Sequence, residues 1–141
     1  MKRVLIAIDG SVSALNAAKY GIAFSEDFKF EIGIAEITNY AIGNIDAGVL
    51  PYDVELANQK RAKKHINEIR LMHPGMVIKE FLPIGNPDIE IMKIIKFWKA
   101  DLLVIGHHTH NMLHRIFMNS LETRLINAID IPLLIVPEKF S

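Results

Sequence analysis

Five short strand-like runs, at residues 4–8, 30–37, 77–82, 101–105 and 133–136, alternate along the chain with stretches of helical periodicity. The first reads Val-Leu-Ile-Ala-Ile, with no polar residue between apolar ones, the pattern of a strand covered on both faces. Between the runs, apolar residues recur at helical spacing. Leu15, Ala18 and Ile22 form one such stripe, and Ala62, Ile66 and Ile69 form a second. Ile91, Ile94, Ile95 and Trp98 form a third, and Leu121, Leu125 and Ala128 a fourth. Strand–helix alternation predicts an α/β fold: a doubly wound, five-stranded parallel sheet with helices on both faces. The 141 residues suit a single domain spanning 1–141, and a hydrophobic content of 50% is enough for a sizeable core.

Local signals set the element boundaries. Asp9-Gly10-Ser11 ends the first strand, and Ser11 or Ser13 suits the cap of the first helix. Gly43, Gly48 and Pro51 predict a long loop over residues 39–52, with a helix over 53–72 after it. A loop of that length in a small domain is a candidate lid or binding element. Asn86-Pro87 reads as N-cap and first helical residue of the third helix. The last helix is expected over residues 119–129.

The formal net charge is zero, which argues against general affinity for nucleic acid. Lys60, Arg61, Lys63 and Lys64 read as a solvated helix face. There is no cysteine, so disulfides, thiol catalysis and cysteine zinc sites are excluded. The first residues enter a strand without the shape of a signal peptide, and no apolar run approaches the ~20 residues of a spanning helix. The expectation is a cytoplasmic protein with no membrane partner.

The segment from Asp101 to Pro137 carries the functional signal. An apolar run ends at Gly106, a polar loop follows, and a helix starts at Asn119. A strand ending in glycine opposite a helix start is how α/β proteins build a phosphate site. Four of the six histidines, His107, His108, His110 and His114, lie in that loop. His110 and His114 have a metal-ligand spacing if the loop is helical there, but no carboxylate or cysteine stands as third ligand, so no metal is expected. Asp9 after the first strand suggests an acyl-phosphate nucleophile, yet Ser11 stands where such chemistry places a second acid. No Walker lysine, GxGxxG or GxSxG pattern occurs, and no catalytic residue is assigned.

The whole chain resembles the universal stress protein family. The resemblance implies an adenine nucleotide alpha hydrolase-like sheet of strand order 3-2-1-4-5, which sets Asp9 and Gly106 across the crevice where the order reverses. Nucleotide-binding members carry Gly, two residues, Gly, nine residues, Gly, then Ser or Thr. Those places fall here on Gly106, Thr109, Asn119 and Ser120. With Ala7 and Asp9, these are the candidate nucleotide-binding residues. Two of the three glycines are replaced. Thr109 is β-branched, which disfavours positive φ and fills space. Asn119 and Glu122 have capping-box spacing, which would use backbone donors that a phosphate needs. Arg115 offsets only part of that loss. Gly106-His107-His108 is similar to the branch whose loop begins Gly-His-His and whose members are regarded as dimers without ATP. Asp9-Gly10-Ser11 is similar to the nucleotide-binding branch instead.

The expectation is a stress-response protein with weak or no ATP binding, acting through a partner or small ligand and without strong catalysis. Its alternative is an ATP- or AMP-binding switch with slow ATPase or autophosphorylation activity. The resemblance also implies a homodimer through the last strand, Leu133, Leu134, Ile135 and Val136. An apolar edge strand needs covering, and a twofold copy of itself can cover it. A charge at Leu134 is expected to split that pair or to precipitate the protein.

Overall fold

The computed structural model describes residues 2–39, 50–107 and 121–138. The strands are β1 (Arg3–Ile8), β2 (Glu31–Glu36), β3 (Ile78–Phe81), β4 (Leu102–His107) and β5 (Leu133–Pro137). The helices are α1 (Val12–Phe28), α2 (Pro51–Met72), α3 (Pro87–Trp98) and α4 (Leu121–Ala128). All neighbouring strands pair in parallel, in the order β3-β2-β1-β4-β5. The doubly wound sheet and its order are as expected.

Side chains alternate across the sheet, so each strand feeds two cores. Val4, Ile6 and Ile8 of β1 join Ile32 and Ile34 of β2 and the stripes of α1 and α2 on one face. Leu5, Ala7 and Ala35 join Leu103, Ile105, Ile91, Ile95, Trp98 and Leu125 on the other, beneath α3 and α4. β1 lies at the centre of the sheet, and its Val4, Leu5 and Ile6 are fully buried. Gly33 makes room on β2, because a Cβ there would stand 2.9 Å from the Trp98 ring.

Three local expectations need correction. Pro51 begins α2 instead of breaking a loop, since proline is suited to a first helical turn where its missing N–H costs nothing. Ala128 is exposed, and Ile129 packs against the core beside Leu121 and Leu125 in its place. β4 does not stop before Gly106. It continues through Gly106 and His107, which pair with Val136 and Pro137 of β5. Asn86 caps α3 by backbone geometry without a side-chain hydrogen bond. The start of the last helix at Asn119, and most of the 39–52 loop, lie outside the described residues.

Candidate functional site

The order reverses between β1 and β4, so the crevice of the sheet lies beyond their carboxyl ends. Ala7 pairs with Ile105 there. The chain then turns through Asp9 and Gly10 into α1, with Gly10 at φ +83°, a conformation that glycine adopts without strain. The turn is closed by its own groups. The Ser11 amide donates to Asp9 Oδ1 at 3.0 Å. The Ala14 amide donates to Ser11 Oγ at 3.2 Å, and the Leu15 amide to the Ser11 carbonyl at 3.0 Å. Ser11 is therefore the cap of α1, and two of the amides that a helix start leaves unpaired, those of Ser11 and Ala14, are engaged by side chains.

Gly106 sits against this first turn. A Cβ on it would stand 2.5 Å from the Ser13 carbonyl oxygen and 2.9 Å from the Ala14 nitrogen. Its backbone is not in the left-handed region. The glycine is therefore required by the close approach of α1 to β4, in addition to any role toward a ligand.

Beside this turn lies a polar pair not foreseen from the sequence. Glu36, the last residue of β2, is buried, and both its carboxylate oxygens meet Nδ1 of His65 on α2, at 2.7 and 3.0 Å. The His65 ring reaches over Gly10, where a Cβ would stand 2.6 Å from Cε1. Burial pushes the Glu36 carboxyl above its ordinary range; the hydrogen bond and charge of His65 pull it back, Asp9 raises it, and Arg61 lowers it. The signal for this pair was present: Glu36 follows the uncharged stretch Ile32-Gly33-Ile34-Ala35, and His65 sits between Ala62 and Ile66 on the inward side of α2.

The universal stress protein family model matches residues 1–137. The chain belongs to the universal stress protein family. Universal stress protein MJ0531 of Methanocaldococcus jannaschii is 27% identical over 139 residues, covering 96% of this chain and 81% of that one. The structure of universal stress protein UspA from Lactobacillus plantarum superposes with a TM-score of 0.82 at 15% identity, over 96% of this chain and 97% of that one. A universal stress protein in complex with cAMP superposes with a TM-score of 0.70 at 21% identity, over 98% of each chain.

Within this family fold, the structure brings Asp9 and Gly106 to the same end of the sheet. Gly106 lies inside β4 against α1, whereas Asp9 lies in the turn, and Ala7 is buried in the core beneath α3 and α4. Thr109, Arg115, Asn119 and Ser120 lie outside the described residues, as do His108, His110 and His114. His107 is the last residue of β4. Among the described residues, no three His, Asp or Glu side chains gather as a metal cage.

Proposed function

We propose that this universal stress protein is a cytoplasmic homodimer that acts through a partner or a small ligand at the carboxyl end of its sheet, with weak or no hold on ATP. The structural observation that supports the reading is the closed β1–α1 turn, which packs against Gly106, where the candidate phosphate loop begins. A polyphosphate needs converging backbone N–H donors, and here the Ser11 and Ala14 amides are engaged by side chains of the turn, which leaves fewer for a ligand. Two carboxylates, Asp9 and the buried Glu36, stand at this end of the sheet and interact with each other. A third and fourth negative charge brought by a polyphosphate raises the electrostatic cost further. The replacement of two loop glycines by Thr109 and Asn119 acts in the same direction.

The alternative, an adenine nucleotide switch with slow ATPase or autophosphorylation activity, draws its support from the relative solved with cAMP. A nucleoside monophosphate asks less of the loop than a triphosphate does. The test is to denature the purified protein and look for released adenine nucleotide by mass spectrometry, then to titrate AMP and ATP with magnesium by calorimetry. Binding of AMP without ATP fits the reading. Tight ATP binding with measurable turnover gives the alternative.

The homodimer rests on a contrast between the two sheet edges. On the β3 edge, α2 occupies the carbonyls: Arg70 donates to the Ile78 carbonyl at 2.9 Å and Gln59 to the Leu82 carbonyl at 2.6 Å. Glu80 lies there too, salt-bridged to Arg70 at 2.8 Å and to Lys63 at 3.4 Å. Charge and side-chain capping discourage pairing on that side. β5, at the opposite edge, runs through Leu133, Leu134, Ile135 and Val136; Val136 is buried, and Ile135 is 37% exposed. Leu134 packs against its own core, so a charge there would disturb the protomer as well as the pair. Ile135 is the cleaner probe.

A further inference from the structure

Glu36, His65 and Gly10 come from three different elements and meet at one point. β2 supplies the carboxylate, α2 the imidazole, and the β1–α1 turn the glycine beneath the ring. The ring is held from one side by two contacts to Glu36 at 2.7 and 3.0 Å. On the other side it occupies the space in which any side chain at residue 10 would stand. The turn under it carries Asp9, whose Oδ1 accepts from the Ser11 amide, and Ser11, whose Oγ caps α1. We propose that His65 is a positioning residue for the crevice: oriented by ionised Glu36, its ring fixes the Asp9–Ser11 turn, and protonation of Glu36 releases it.

The direction follows from the hydrogen bond. An ionised carboxylate offers both oxygens to Nδ1–H, and a charged acceptor makes the stronger bond. Once protonated, Glu36 keeps a weaker acceptor and the ring loses its hold. The charged groups that face Glu36 are His65 and Arg61 from α2 and Asp9 from the turn. Burial of Glu36 supports a release point above the ordinary carboxylate range. The consequence for a ligand rests on the crevice being the binding site; the motion of the turn does not.

The test is an NMR titration of the full chain between about pH 4 and pH 8, following the Gly10 and Ser11 amides and the Glu36 carboxyl carbon. The amides should move with the midpoint of the Glu36 carboxyl. In Glu36→Gln the component that follows the Glu36 carboxyl should vanish. In His65→Ala the Gly10 amide should sit at a displaced position throughout, and His65→Gln, which keeps a donor for Glu36, should restore part of it. The same amide titration in Glu36→Gln as in the parent protein would overturn the proposal. So would an unmoved Gly10 amide in His65→Ala. If His65→Ala does not fold, Glu36→Gln decides alone. A parallel AMP titration should show binding weakened more on acidification in the parent than in Glu36→Gln, the change common to both belonging to the phosphate of AMP. If AMP binds at no pH, the ligand reading fails while the amides still decide the positioning role.

Discussion

Gly106→Ala separates a glycine required by the fold from one required by a ligand. The added methyl would stand 2.5 Å from the Ser13 oxygen, 2.6 Å from the Ser13 carbonyl carbon and 2.9 Å from the Ala14 nitrogen. All three neighbours are backbone, so no side chain can swing aside. The first turn of α1 must retreat from β4, or β4 must bend. Overpacking of this kind costs about 1–3 kcal/mol. Retreat of the turn also loosens the Ser11 cap, whose bond to Ala14 is 3.2 Å long, and a lost cap costs about 1 kcal/mol. The sum is about 2–4 kcal/mol, or a fall in Tm on the order of 10 °C for a chain of this size. Urea unfolding followed by circular dichroism measures it, with an unchanged slope showing that two-state behaviour is kept. Gly75→Ala is the control. That residue has φ +88° with nothing within 4 Å of a Cβ, so only left-handed strain of about 1–2 kcal/mol applies. Gly106→Ala as stable as the parent protein, within about 0.5 kcal/mol, would refute the close-approach argument.

Ile135→Lys should shift the protein from dimer to monomer by light scattering at micromolar concentration with its Tm nearly kept; an unchanged mass would remove β5 as the interface. Trp98→Ala should cost about 3–5 kcal/mol, because the ring fills the space above Gly33, meets Phe81 edge-on at 5.6 Å and lies under the Arg3 guanidinium at 5.8 Å; chemical denaturation reads it. Glu36 and Glu80 should act oppositely on stability as pH changes. The raised pKa of Glu36 means the folded state binds its proton more tightly, so the stability it contributes is complete below the ordinary value of 4.5 and is lost as pH rises through the raised one. Glu36→Gln should therefore gain on the parent protein as pH rises from about 4 to 7. For Glu80, burial raises the pKa, but hydrogen bonds from Arg70 and Lys63 more than offset it. Its contribution is present above 4.5 and lost as pH falls through the lowered pKa, so Glu80→Gln should lose on the parent protein most at neutral pH.

The sheet was legible because its signals are local and repeated. The run of residues 4–8 carries no polar alternation, and Ile91, Ile94, Ile95 and Trp98 mark one buried helix face. The strand order came from family resemblance, since spacing alone leaves several right-handed topologies open. What the sequence hid are contacts between distant elements. Gly106 reads as a phosphate-loop glycine, but α1 is what approaches it, across more than ninety residues of chain. Glu36 and His65 each look ordinary alone, and only the packing of α2 over β2 makes them a pair. Ala128 and Ile129 differ by one position, and helical periodicity does not resolve that near a helix end.

The central claim, a crevice ill-suited to a triphosphate, is tested most directly by a thermal shift with ATP and magnesium beside AMP. A ligand about a hundredfold above its Kd stabilises a folded protein by about 2.7 kcal/mol, several degrees in Tm at this chain length. The shift expected with ATP at millimolar concentration is below about 1 °C. A rise of several degrees with ATP, greater than with AMP, would contradict it.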